Sequence, residues 1–218
     1  MKRWLVFALC QFACSAWGDT EPALNEVRVG VDLPTLERGA ETVITVCAGC
    51  HSLKYVRFRD LVRLGIAQDK VDAWRGGKPM GAAITGQLPA DAALASFGKI
   101  PPDLSLMARA REGEADYIYS YLLGFYITPE GTLGNHYYPP TKMPDILAVA
   151  GVTDPSQRAQ LEQKARAVTS FLVWAADPHA RERRALGYYV IGYLLIFTTL
   201  LYFLKRRTWA KLDRPASA

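Results

Sequence analysis

Cys47-Ala48-Gly49-Cys50-His51 is the stretch that decides the reading of this 218-residue chain. Two thiols three positions apart lie on one face of a single turn. Both can therefore add across the two vinyl groups of one porphyrin. The histidine directly after the second thiol then sits beneath the ring, where its imidazole can bind iron. The competing readings are weaker. A zinc site needs four ligands, and neither a second CxxC nor a histidine pair at finger spacing accompanies this one. A thioredoxin-type dithiol wants a βαβ context that the surrounding Ala, Gly, Ser and Pro do not supply. A disulfide between residues this close is sterically poor and closes almost no loop. The motif reads as the covalent attachment site of one haem c, with His51 as the proximal iron ligand.

The remaining cysteines agree with that use. Of the four in the chain, Cys10 and Cys14 fall in a stretch built like an export leader. Lys2 and Arg3 come first, an apolar run from Trp4 to about Ala13 follows, and Ala16-Trp17-Gly18 fits a small-x-small cleavage pattern. The expected signal peptide is residues 1–18, with Asp19 starting the mature chain; a lipoprotein reading through Cys14 is the alternative. After cleavage only Cys47 and Cys50 remain, so the exported chain spends both thiols on its cofactor and has no disulfide framework.

Charge is distributed unevenly. The net charge is +5 and the isoelectric point about 9.0, values that by themselves invite a nucleic-acid partner. Yet residues 181–218 hold eight basic and two acidic groups, whereas residues 19–180 hold sixteen basic and nineteen acidic groups. The basic excess belongs to the ends and the body is mildly acidic, which argues against nucleic acid as a partner and is compatible with a basic protein partner.

From Ala185 to Leu204 run twenty residues without a charge, ALGYYVIGYLLIFTTLLYFL. At a helical rise of about 1.5 Å they span roughly 30 Å, the thickness of a bilayer core. Tyr188 and Tyr189 stand near one end, Tyr202 and Trp209 near the other, as interfacial aromatics do. Lys205, Arg206 and Arg207 follow at once. With an export leader in front, the expectation is a single-pass membrane protein: body outside, transmembrane helix 185–204, and basic tail 205–218 in the cytoplasm.

Residues 19–180 suffice for one domain with one core. A helix is expected from about Pro34 through the haem motif, with Leu36, Ala40, Val43 and Val46 or Cys47 at helical spacing. Residues 76–102 are rich in Gly and Pro and read as a long wrapping loop with short ordered turns. Asp103 is placed to cap a helix running to Arg111, and Glu114 to about Phe125 reads as another, with Tyr117, Tyr121 and Phe125 on one face. Residues 128–145 read as loop. Asp154-Pro155-Ser156-Gln157 then opens a last helix, whose stripe of Leu161, Ala165, Val168, Leu172 and Ala176 ends at Asp177-Pro178. The fold class is all-α: a mono-haem cytochrome c-like domain with long loops, plus one C-terminal transmembrane helix.

The sixth iron ligand has several candidates. Met143 lies in Lys142-Met143-Pro144, a proline-stiffened loop just upstream of the last helix. A thioether is soft and neutral, favours Fe(II) and raises the potential, which suits electron transfer. Met80, in a Lys-Pro-Met-Gly loop, and His136 remain alternatives. Met107 reads as core, and His179 stands at the membrane boundary.

The run Cys47-Ala-Gly-Cys-His-Ser-Leu-Lys-Tyr-Val-Arg-Phe-Arg-Asp-Leu61 resembles the haem segment of the cytochrome c1 family, the c-type subunit of the cytochrome bc1 complex. Pro101-Pro-Asp-Leu-Ser-Leu-Met-Ala-Arg-Ala-Arg111, Asp116-Tyr117-Ile-Tyr and Leu122-Leu-Gly-Phe-Tyr126 resemble that family's second signature. The anchor followed by Leu204-Lys-Arg-Arg-Thr-Trp209 is similar too. The resemblance implies that Pro101 and Pro102 pack against the haem and that Arg111 and Tyr117 hold a propionate. It implies an electron relay in a bacterial inner membrane, haem on the periplasmic side. Electrons would come from a Rieske iron–sulfur protein beside cytochrome b and leave to cytochrome c; the subunit is not an enzyme alone. His136-Tyr-Tyr-Pro-Pro-Thr-Lys-Met143-Pro departs from the Gly-rich approach expected in the family. A membrane-anchored cytochrome serving a terminal oxidase or another dehydrogenase is the rival reading. An open-site haem enzyme or gas sensor stands further off.

Overall fold

A computed structural model of the chain describes residues 22–212. The expected leader, with Cys10 and Cys14, lies outside them, as does the tail from residue 213. The chain divides into two units at Ala176/Asp177.

In the first unit, α1 spans Leu33–Thr45. Asp32 caps it by accepting the Thr35 N–H at 2.9 Å, and a proline in the first turn has no N–H to waste. Leu36, Ala40 and Val43 are buried on one face. The helix then tightens into a single 3-10 turn, Cys47–Gly49. Strand β1 (Leu53–Arg57) leads into α2 (Phe58–Leu64) and α3 (Gln68–Arg75). The Gly/Pro-rich region beyond holds more order than its composition predicts. It contains β2 (Ala83–Ile84), antiparallel to β1 with an irregularity in the register, and α4 (Ala90–Phe97).

The helix expected from Asp103 is shorter than its capping pattern predicts: α5 covers only Met107–Ala110. Asp103 turns elsewhere, accepting from Ser105 N at 2.8 Å and Lys54 N at 3.0 Å. Helix α6 is Glu114–Leu123; Phe125, expected at its end, begins strand β3 (Phe125–Ile127). That strand pairs antiparallel with β4 (Leu133–Asn135), inside the stretch read as loop. Helix α7, Pro155–Ala176, begins where expected, with Asp154 accepting from Gln157 N at 2.8 Å. The unit is thus mostly helical, with two short ribbons too brief to leave a periodic signal.

Its core forms where α1 crosses α7. A Cβ on Gly39 would lie 2.1 Å from the Ala167 carbonyl oxygen, so no side chain fits at that crossing. Phe171, Val168 and Leu172 of α7 and Val43 of α1 are buried there with Leu53, Leu61 and Ile118. Each contributes about 1.5–3 kcal/mol of burial. Ahead of α1 the chain is strapped across this core by Asn25 N to Ser120 Oγ, 2.7 Å, Val27 N to Asp116 Oδ1, 2.8 Å, and Gly30 N to Ser170 Oγ, 2.8 Å.

The second unit is one long helix, α8, Ala180–Leu212. Its segment Glu182–Ala210 is long and apolar enough to cross a membrane. It extends past the uncharged run at both ends, because the charged flanks carry on the same backbone hydrogen bonding. Thr199 and Thr208 donate their hydroxyls to the carbonyls of Leu195 and Leu204 at 2.8 and 2.9 Å. Thr199 lies in the uncharged run, where a bilayer core would offer its hydroxyl no water.

Candidate haem site

The haem motif is held by its own backbone. Cys50 N and His51 N both bond to Cys47 O, at 3.0 and 2.8 Å, closing the turn that presents both sulfurs. A second segment backs it: Gln87 N and Leu88 N donate to Ala48 O and Gly49 O, each at 3.0 Å. Gly86 N donates to Ser52 Oγ at 2.8 Å. A Cβ on Gly86 would lie 2.9 Å from Cys50 O, so this close approach requires the glycine.

A third segment is laced along the other side. Leu104 N donates to Ser52 O at 2.8 Å, Asp103 Oδ2 accepts from Lys54 N, and the fully buried Ser105 Oγ accepts from Tyr55 N at 3.1 Å. The Pro-Pro-Asp-Leu-Ser run therefore lies alongside residues 51–55. Its chemical effect falls on His51, whose Nδ1 lies 2.8 Å from the Pro102 carbonyl oxygen. With the Nδ1 proton donated there, Nε2 carries the free lone pair and the ring orientation is set. Burial lowers the His51 pKa, opposed by the Pro102 carbonyl and the Asp103 charge, so the ring is neutral near pH 7. Burial pushes the Cys47 thiol up to about 11.

Cys47, Cys50, His51, Pro101, Pro102, Arg111, Tyr117 and Met143 all line one cavity of about 430 Å³. Cofactor and small-molecule sites span about 300–1,000 Å³. Its walls are mainly apolar, with Val46 from the end of α1, Leu104, Ile118 and Leu122 of α6, Ile146, and Val168 and Leu172 of α7. An apolar chamber bearing two thiols and a neutral imidazole fits a covalently attached tetrapyrrole. Arg111 is exposed and reaches the cavity from just past α5, while the Tyr117 ring stacks on Tyr121 at 6.1 Å.

Among the sixth-ligand candidates, Met143 and Met107 line the cavity, whereas Met80 and His136 do not. Met80 packs against the core, and His136 stacks on Tyr126 with centroids 4.1 Å apart. Met107 also packs against the core. His179 belongs to the second unit, where Nδ1 lies 3.0 Å from Glu182.

Several lining residues escape sequence reasoning. Phe97, Lys99 and Ile100 follow from α4, which the composition hides, and Tyr138 and Thr141 come from the loop that carries Met143. Lys99 stands 5.3 Å from the Tyr138 ring centroid. Tyr121 is legible only as packing; its edge-on contact with Phe125, 5.5 Å between centroids, is the aromatic face expected of α6. Its hydroxyl also meets Thr141 Oγ1 at 2.6 Å.

The family model described as "Cytochrome C1 family" matches residues 24–212. A cytochrome c1 of Allochromatium vinosum is 31% identical over 208 residues, taking in 82% of this chain and 84% of that protein. A cytochrome c1 of Rhodospirillum rubrum is 31% identical over 226 residues, 82% of each chain. A cytochrome b/c1 of Bradyrhizobium diazoefficiens is 33% identical over 229 residues. That match takes in 82% of this chain and 33% of the relative, so the chain spans about a third of that protein's length.

Proposed function

From the premise that this chain belongs to the cytochrome c1 family, we propose that it is a membrane-anchored relay passing single electrons from a Rieske iron–sulfur protein to cytochrome c. Family membership carries the coarser statement: a c-type cytochrome subunit transferring electrons within a bc1-like complex. The observation supporting a haem-bearing relay is the joint geometry of the motif and the cavity. Cys47, Cys50, His51 and Met143 share one apolar chamber, and His51 Nδ1 is held by Pro102 O.

A haem c bound there supplies a one-electron Fe(III)/Fe(II) couple. Cys47 and Cys50 would hold it through thioether bonds on a turn whose backbone is already closed. His51 would offer Nε2, its ring fixed by Pro102, and Met143 would offer a neutral sulfur from the same cavity. Neither group would need to gain or lose a proton when the iron changes charge, and with both bound small molecules would find no open position. Ile118, Leu122, Val168 and Leu172 exclude water, which keeps reorganisation small. Arg111 and Tyr117 would take a propionate, the guanidinium as a forked, permanently charged donor.

The anchor would be α8, with residues 1–18 removed on export. The haem domain would lie on the periplasmic side of the bacterial inner membrane, the basic tail in the cytoplasm and cytochrome b beside the helix. The test is to recover the tagged full chain from membranes in mild detergent and identify its companions. Recovery of a di-haem cytochrome b and a Rieske protein, with quinol-driven reduction of the haem, is expected. Recovery of oxidase subunits without them would move the relay to a terminal oxidase.

A further inference from the structure

Residues 136–154, which include Met143, form no helix or strand. A ligand on such a segment needs something outside it to fix its position. Three hydrogen bonds tie it to the end of α6, and three more carry that hold along the loop. His136 N donates to Gly124 O at 3.0 Å. Asn135, 1% exposed, donates Nδ2–H to Tyr121 O at 2.8 Å, while its Oδ1 accepts from Tyr137 N at 2.9 Å and Tyr138 N at 3.2 Å. The Tyr121 hydroxyl meets Thr141 Oγ1 at 2.6 Å, and that same Oγ1 accepts the Met143 N–H at 3.2 Å.

Thr141 Oγ1 carries one proton and two lone pairs, so it can serve both neighbours at once, whichever hydroxyl donates to the other. Tyr121 thereby grips the loop twice, by its carbonyl through Asn135 and by its hydroxyl through Thr141. The second grip ends one bond from the backbone of Met143. Tyr121 and Thr141 also line the cavity, so the link runs along its wall.

We propose that Tyr121 and Thr141 are positioning residues for the Met143 thioether, a hydroxyl pair that holds the ligand loop against α6 and resists displacement of the sulfur. This rests on the reading of Met143 as sixth ligand and adds to it. Cutting the link leaves the sulfur present while making its departure easier. The energy of one hydrogen bond sets the scale, about fivefold in the equilibrium between bound and displaced sulfur.

The test uses the full-length holoprotein in mild detergent, with imidazole as a competing ligand and the thioether–iron charge-transfer band as readout. Tyr121→Phe and Thr141→Val should each bind imidazole about fivefold more tightly than the parent. Both should keep the band when imidazole is absent. Thr141→Ser should behave as the parent does, and Tyr121→Phe/Thr141→Val should match Thr141→Val alone, since the valine already removes the one bond that the Tyr121 hydroxyl makes. Parental imidazole affinity in both single variants overturns the proposal, as does a double variant whose two effects multiply. A serine variant as loosened as the valine one overturns the hydroxyl's part. If Tyr121→Phe does not assemble, the threonine series decides alone. Met143→Leu isolates the underlying reading: survival of its band removes Met143 as ligand, whereas loss of the band with parental imidazole affinity in both hydroxyl variants removes only this proposal.

Discussion

The two sides of the cavity are held by different means. On the His51 side, residues 47–55 are bonded to two neighbouring segments, 86–88 on one flank and 101–105 on the other, by three bonds between backbone groups and three from backbone N–H groups to the Ser52, Asp103 and Ser105 side chains. On the Met143 side, the loop hangs from the end of α6 by one buried amide, one hydroxyl pair and one backbone bond. Backbone lacing tolerates exchange of most side chains; suspension from Asn135, Tyr121 and Thr141 does not. One side should fail only with the whole fold, the other ahead of it.

The largest perturbation should erase the difference by removing what both sides share. Phe171→Ala empties a fully buried position at the α1–α7 crossing. It should cost about 3–5 kcal/mol, read as a fall in thermal midpoint with haem absorbance and helicity lost together. Asn135→Ala should sharpen the difference. It strands the Tyr137 and Tyr138 N–H groups and the Tyr121 carbonyl at a cost of about 1–3 kcal/mol. In denaturant the thioether band should disappear before helical circular dichroism does; coincident loss would show that the loop is not separately held. Ser105→Ala is the matching cut on the proximal side and removes the acceptor for Tyr55 N. About 1 kcal/mol of stability should go, with band and helicity still falling together.

The smallest effect concerns pH. The Thr35 side chain and amide hold the Asp32 carboxyl below its ordinary value, and Ser156 and then Gln157 do the same for Asp154. A depressed folded-state value means that these caps contribute fully above the ordinary carboxylate range. Their contribution fades as pH falls through the folded values. Asp32→Asn and Asp154→Asn should each flatten the acid arm of a stability–pH curve and leave neutral pH nearly unchanged. An acid arm as steep as the parent's in both variants would show that the caps are not the acid-sensitive groups.

How much was legible follows from the same division. The Cys47–His51 turn, the cap and stripe of α7 and the apolar run of α8 are local patterns, in which each residue's partner lies within a few positions. They can be read from sequence because 3.6-residue periodicity and cap chemistry act over one or two turns. Asp103 shows where that stops. It carries a cap's side chain, but the N–H groups it satisfies include that of Lys54, 49 positions away, and no local rule predicts that choice. β2, β3 and β4 are two or three residues long, too short to alternate. Asn135 is a single polar residue in a stretch rich in turn formers, and its burial emerges only once α6 and the loop are brought together. The cavity's cysteines, histidine and methionine were therefore readable, while the hydroxyls and amide that hold the methionine were not.

The wall that α7 lends the cavity through Val168 and Leu172 also has a consequence in time. It is the last part of the body to be synthesised, long after the thiols. Until it docks, Cys47 and Cys50 stand on a turn closed by its own backbone, reachable by whatever machinery joins the porphyrin to them. If the proposed porphyrin is joined to these thiols, the chain order leaves room for attachment before closure. The contact between α1 and α7 that completes the chamber joins distant parts of the sequence, and contacts of that separation form slowly.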